Sequence, residues 1–257
     1  MVNRSLPSLR TKGGLKPGFV KPIRLTDQVS DVIKQLILAG KLSPGERVVE
    51  QKIARELGVG QNAVREALIE LSHMGYVRRV PNIGTFVTKL SRTDAERISQ
   101  VRTVLESLVV DLVAKRLQTE DVDLSEAEGL LHKMRKAVTR GDIVTFYDHD
   151  LQFHRMLWQL ADNEFLGQLL EQIVVPLFAF FLILNNPPAR TDYLLEAVDH
   201  HENVLQALIS HSPQKAHSAI CGLMEISLRQ QQDIISEKRS RKSKPSAIRE
   251  QVTRSQG

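Results

Sequence analysis

The feature that most constrains this chain is a short break between two helical stretches. It runs Leu57-Gly58-Val59-Gly60-Gln61-Asn62 and leads into Ala63-Val64-Arg65-Glu66-Ala67-Leu68. One short helix is expected to end at Leu57, the chain to turn on Gly58, and a longer helix to begin near Gln61. Apolar residues recur in that longer helix at Val64, Leu68, Leu71 and Met74, spaced by three and four. Its other face carries Gln61, Asn62, Arg65 and Glu66. Two helices joined by a tight Gly turn are what a helix-turn-helix reader of DNA requires. An ordinary helical hairpin in a core has the same pattern, so the flanking sequence has to decide.

The flanks extend the pattern. Thr26 is expected to cap a helix with apolar positions Val29, Val32, Ile33, Leu36 and Ile37, stopped by Gly40. A Pro44-Gly45 turn and a short helix from Glu50 to Leu57 follow. After the second helix come Tyr76 to Val80, Pro81-Asn82-Ile83-Gly84, and Thr85 to Thr88. Two β-prone runs about a Pro/Asn/Gly turn predict a hairpin. Residues 25–90 are therefore expected to form a winged helix-turn-helix, three helices plus a two-stranded wing. Gly84 would let the wing backbone approach a nucleic-acid groove closely.

From residue 91 to 236 the chain reads as an all-α bundle of six helices. Thr93 and Glu96 are expected to form a capping box at its start. The longest apolar run, Ile173 to Leu184 with Pro176 inside, falls short of the roughly 20 residues a membrane span needs and is expected to be a buried helix. The fold class is thus mostly α. Cys221 is the only cysteine, which excludes an internal disulfide. With no apolar segment after the basic start, a cytoplasmic protein is expected. The pI near 9.4 belongs to the ends. Residues 1–24 carry a net +6 and residues 237–257 a net +5, against +5 for the whole chain, so the body between them is acidic. These two segments are expected to be a flexible basic arm and a disordered basic tail.

Asp150 and His154 are four apart on one expected helix and share a face. His201 lies on a later helix. A carboxylate and two imidazoles at such spacing suit a divalent transition metal such as Zn or Ni. A metal-dependent hydrolase could use such a cluster. That reading lacks an evident general base and leaves the winged helix unexplained. A sequence-independent architectural DNA binder working through its basic ends leaves the polar cluster unexplained.

Residues 26–90 resemble the winged-helix domain of GntR-type bacterial transcription regulators. The residues that carry the resemblance are Leu42-x-Pro44-Gly45-Glu46-Arg47, Ala54 to Val59, Val64-Arg65-Glu66-Ala67-Leu68, Leu71, Gly75-Tyr76-Val77 and Gly84-Thr85-Phe86-Val87. Residues 93–235 resemble the FCD ligand-sensing bundle of the FadR-type subfamily. The resemblance implies a homodimer, probing each half of a palindromic operator with one recognition helix and one wing. It implies a regulator, by family default a repressor, released by a small carboxylate. Arg65 would take a phosphate or a guanine edge, and Arg47 belongs to the same motif. The family often has a basic residue where Gln51 stands, and polar or cationic residues where this chain has Gly60, Gln61, Asn62 and Ala63. The amides of Gln51, Gln61 and Asn62 would read adenine instead.

In the bundle, the resemblance implies that Asp150, His154 and His201 hold a metal with a fourth ligand from the last helix. That fourth position falls at Leu223, which cannot ligate. Arg102 matches an arginine that faces the effector's carboxylate in this subfamily, and an i,i+4 ion pair with Glu106 is its structural alternative. Asn163 matches an effector-contacting position, with helix capping the alternative.

Overall fold

A computed structural model describes residues 24–185 and 191–243. Residues 1–23 of the expected arm and 244–257 of the expected tail lie outside the described residues. In chain order the elements are α1 (Leu25–Leu38), β1 (Arg47–Val48), α2 (Glu50–Leu57), α3 (Gln61–His73), β2 (Val77–Val80), β3 (Gly84–Val87), α4 (Arg92–Arg116), α5 (Ser125–Thr139), α6 (Ile143–Leu160), α7 (Glu164–Asn185), α8 (Thr191–Ile209) and α9 (Pro213–Ser243).

The head is built as its periodicity predicts. Val64, Ala67, Leu68 and Leu71 of α3 are buried with Val29, Ile33 and Ile37 of α1. Met74 lies just past the end of α3 and Val32 on the outer side of α1, and both are exposed. Gly58 takes a left-handed φ of 65°, and the chain turns there from α2 toward α3. Thr26 is not the cap of α1. The helix begins one residue earlier, with the Arg24 N–H donating to Asp27, and the Thr26 hydroxyl instead donates to Glu66 at 3.0 Å. This bond ties α1 to the recognition helix α3. The wing has three strands rather than two. β2 and β3 pair antiparallel with Val77 opposite Val87, and β1 adds to the other edge of β3 with Arg47 opposite Phe86. Two residues are too few to leave an alternating pattern in sequence.

Helices α4 to α9 form the bundle. α9 lies along α4 and α8, α5 pairs with α6 and α8, and α7 packs on α4, α6 and α9. The cap of α4 is Ser91 with Asp94, not Thr93 with Glu96. The Ser91 hydroxyl accepts from the Asp94 N–H at 3.0 Å, and Asp94 accepts from the Ser91 N–H at 2.9 Å. Glu96 is engaged by Arg92 instead. α9 continues to Ser243, past residue 236 where the bundle was expected to end and into the stretch assigned to the tail. α7 is longer than the apolar run seen in sequence. By length and composition it could cross a membrane, but 61% of its most apolar window is buried within the protein. Leu170, Val174 and Leu177 are among its fully covered residues, and it reads as a core helix.

Head and bundle meet along α7, most closely at Gly75. Gly75, just after α3, has φ +76°, and a Cβ there would lie 2.7 Å from the Val175 carbonyl oxygen and 2.9 Å from Pro176. Glycine is the residue that fits both the backbone and the gap. Next to it Tyr76 is buried with the Lys34 ammonium 5.1 Å from its ring centre, and burial together with Asp148 pushes its phenol well up. A groove of about 290 Å3 runs between head and bundle, with Tyr76 and Met74 on one side and Tyr147 and Phe178 on the other.

Candidate metal centre and nucleic-acid interface

The bundle brings Asp150, His154 and His201 together in its interior. Asp150 and His154 sit one turn apart on α6, and His201 faces them from α8; all are buried. His201 Nε2 is 2.9 Å from Asp150 Oδ1, His154 Nε2 is 3.6 Å from the same oxygen, and the two Nε2 atoms are 3.4 Å apart. Ligands about 2.1 Å from a tetrahedral zinc are about 3.4 Å from one another. The three atoms therefore have the mutual spacing of a ligand set.

The partners of the two imidazoles fix where their protons sit. His201 Nδ1 is 2.6 Å from the carbonyl of Ala197, which can only accept, so Nδ1 carries the hydrogen and Nε2 offers a lone pair. His154 Nδ1 lies 3.1 Å from Glu106 Oε1, and its Nε2 faces Arg102 Nη2, a donor, at 2.8 Å. Nε2 of His154 is again the acceptor. Burial, with Arg102 beside it, lowers the His154 pKa below its ordinary value. Two imidazole lone pairs and a carboxylate oxygen thus converge. Asp150 Oδ1 is buried without a well-aligned hydrogen bond despite the short approach of His201. Such an arrangement calls for a cation between the three, and the donor set fits a divalent transition metal.

Arg102 makes the i,i+4 ion pair with Glu106 and also borders the Asp150, His154 and His201 cluster. Its Nε pairs with Glu106 Oε1 at 3.3 Å, and its side chain is only 4% exposed. Its guanidinium carbon also lies 5.0 Å from the centre of the Phe178 ring, facing the metal-ligand cluster. Glu106 was legible in sequence only as Arg102's helical neighbour. In the fold it holds His154 and Arg102 and accepts the Trp158 indole N–H at 3.0 Å. Burial pushes its carboxyl up, but His154, Arg102 and the indole donor outweigh burial and hold it at about 2.

Next to the cluster lies a cavity of about 60 Å3, walled by Arg102, Phe178, Phe181, Leu223, Ser227 and Gln231 among others. Leu223 presents an apolar side chain where the fourth ligand was expected. Asn163 does not join this site. It caps α7, its Oδ1 accepting from the Leu166 N–H at 3.1 Å, and it borders a separate surface depression with Arg155 and Gln168. Its place just ahead of α7 commits it to that helix end. Of the other histidines, His217 is exposed and pairs with Asp111 at 3.0 Å, while His149 and His200 are half-buried.

On the head, Gln51, Gln61, Asn62 and Arg65 are all exposed, on α2 and on the first turns of α3. Arg65 pairs with neither Glu66 nor Glu70. Its Nε and Nη2 both donate to Glu50 Oε2, at 3.2 and 3.0 Å, and the same oxygen accepts from Gln61 at 3.3 Å. Arg47 lies at the wing: a Cβ on Gly84 would come within 3.0 Å of Arg47 Nε. Gly84, at φ +136°, therefore makes room for Arg47 within the head.

A winged helix presenting an amide-rich recognition helix, joined to a helical bundle that encloses a small cavity beside a polar cluster, is the build of a DNA-binding transcription regulator. The bacterial regulatory proteins of the gntR family match residues 25–87, and the FCD domain matches residues 97–225. The chain belongs to the GntR family, in the group that carries an FCD domain. It is 26% identical over 211 residues to the HTH-type transcriptional regulator McbR of Escherichia coli, covering 81% of this chain and 93% of that protein. It is 31% identical to the HTH-type regulator YdhC of Bacillus subtilis over 64% of this chain and 73% of the relative. A probable D-xylose utilization operon transcriptional repressor of Paenarthrobacter nicotinovorans is 26% identical, over 76% of this chain and 84% of the relative. The solved structure of Escherichia coli McbR has the same fold, with a TM-score of 0.63, 24% identity, and 82% of this chain and 99% of that one covered. These relatives are regulators rather than enzymes, which removes the hydrolase reading.

Proposed function

We propose that this regulator is a homodimeric repressor that binds a palindromic operator and is released by a small carboxylate bound at Arg102 beside a divalent metal. The observation that carries the reading is the convergence of three buried lone-pair donors and a buried arginine on one cavity, in a chain whose other half is a DNA reader. Asp150, His154 and His201 would hold the metal. Such a metal would supply a Lewis-acidic position for a carboxylate oxygen. The protein's own part is to orient both imidazoles through Ala197 and Glu106, and to exclude water with Phe178 and Leu223. On the head, Arg65 would contact a phosphate or a guanine, with Gln61, Asn62 and Gln51 beside it and Arg47 at the wing. The division at about residues 25–90 and 91–236, and a cytoplasmic location, belong to the same proposal.

Fluorescence anisotropy on the DNA upstream of the chain's own gene tests the DNA half. Saturable binding that survives competitor DNA is expected, and Arg65→Ala should abolish it while leaving the oligomer folded. Operator affinity unchanged in that variant removes Arg65 from the interface. Metal analysis tests the other half: about one equivalent of Zn or Ni per chain is expected, and its absence after equilibrium loading ends the metal reading.

A further inference from the structure

We propose that Arg102 and the metal compete for one lone pair, that of His154 Nε2, so that metal entry is the step that frees Arg102 to bind a carboxylate. The inference rests on the metal reading above and adds an order of binding to it.

Two facts conflict at this atom. His154 Nε2 is a ligand atom of the candidate centre, within 3.4 Å of His201 Nε2. It is also the acceptor for Arg102 Nη2 at 2.8 Å. A guanidinium has only donors and stays protonated, so it cannot share the lone pair with a cation. One of the two has to leave, and the second positive charge repels the first across a buried site. Arg102 keeps Glu106 on its Nε and Phe178 against its face, so it can release His154 without losing its anchor.

What Arg102 then meets explains why a carboxylate should follow. Two of the cavity's other polar side chains are already engaged: Gln231 accepts from Ser99 and donates to Ser227, and Gln230 donates to the Tyr193 carbonyl and Glu196. The released N–H donors have no protein acceptor among these. Leu223 leaves the metal's remaining position without a side-chain ligand. One small carboxylate can bridge the metal and Arg102 and satisfy both. Without metal, Arg102 is already satisfied by His154, and the carboxylate has little to gain. Metal and carboxylate should therefore bind with positive coupling, each raising the affinity for the other by the same factor.

Cobalt(II) titration of the chelator-treated full chain, followed by visible absorption and calorimetry, tests this with acetate as the carboxylate probe. Wild type should bind acetate only when loaded with cobalt. Arg102→Ala should bind cobalt on the order of tenfold more tightly or better, because the competitor for the lone pair is gone. Arg102→Lys keeps the charge but loses the planar fork, and it too should bind cobalt more tightly than wild type. Should Arg102→Ala fail to fold, the double variant Arg102→Ala/Glu106→Gln removes both buried charges and takes its place, its cobalt affinity compared with that of Glu106→Gln alone. The proposal is overturned if cobalt affinity is the same in wild type and both single variants, if only Arg102→Ala gains, which would be charge repulsion alone, or if acetate binds wild type equally with and without cobalt. Cobalt binding to none of the proteins would instead sink the metal reading beneath it.

Discussion

Glu106 accepts from Arg102 and Trp158 and lies 3.1 Å from His154 Nδ1 while fully buried, so its carboxylate is the point on which the polar core is pinned. Removing one partner of a buried pair costs about 3–5 kcal/mol because the other charge is left behind. Glu106→Ala should lower the unfolding free energy by that much in urea titrations. Glu106→Gln should stay folded but weaken cobalt binding roughly 10- to 100-fold, the usual cost of losing an outer partner of a metal-bound histidine; unchanged cobalt affinity would detach Glu106 from the centre. In sequence, Glu106 looked like a helical salt-bridge partner because α4 is buried on several sides and its pattern does not single out one inward face. Asp150, His154 and His201 were legible because chemistry, not periodicity, marked them. Glu50 is a second residue with a measurable role. It holds both Arg65 and Gln61 through one oxygen, and as an acid on the reading face it opposes phosphate. Glu50→Gln should raise affinity for arbitrary duplex DNA and narrow the margin for the operator, read as the ratio of the two dissociation constants.

Among the elements, α7 has the widest reach. Val175 and Pro176 press on Gly75 at the end of the reading helix, and Phe178, half a turn on, stacks on Arg102 and lies 5.8 Å from His154 between ring centres. The same Phe178 borders both the inner cavity and the groove under the head. Gly75→Ala should cost about 3 kcal/mol, from a left-handed backbone together with overpacking against Pro176; thermal denaturation checks it, and a loss of only a few tenths would show that the contact yields. At the start of α4, hydrogen bonds from Ser91 hold the Asp94 carboxyl below its ordinary value of 3.8. A depressed acid stabilises the fold above its unfolded pKa and loses that contribution as pH falls through the folded one. The melting-temperature gap between wild type and Asp94→Asn should therefore be present at pH 7 and close on acidification below about 4. Helix positions were largely readable in advance, since each carries its own apolar period. Their caps were less so: Ser91 and Arg24 took roles assigned to Thr93 and Thr26, because two candidate polar residues within one turn look alike until the backbone enters the helix. β1 and the head-to-bundle contact were not readable, the first for its length and the second because it joins residues about a hundred positions apart.

At the scale of the whole molecule, α7 touches both the site and the end of the reading helix, so on the proposed function ligand and DNA are expected to report on each other. If loading the bundle weakens operator binding by some factor, operator DNA must weaken loading by the same factor. Cobalt titrations of the wild-type chain with and without saturating operator should give that equality. Phe178→Ala should shrink both factors together while leaving operator affinity in the empty state near wild type. A Phe178→Ala chain that kept the wild-type factor would place the coupling elsewhere. The glycine pressed against Pro176 has a consequence for building new sensors from such chains. A designer who exchanges reading heads at the linker near residue 90 keeps two intact modules but pairs a new head with an old α7. A head lacking a glycine at the position of Gly75 could not seat against that proline, and the hybrid would still find its operator yet ignore its signal. Head and helix are thus one interchangeable part, and the cut belongs elsewhere than the linker.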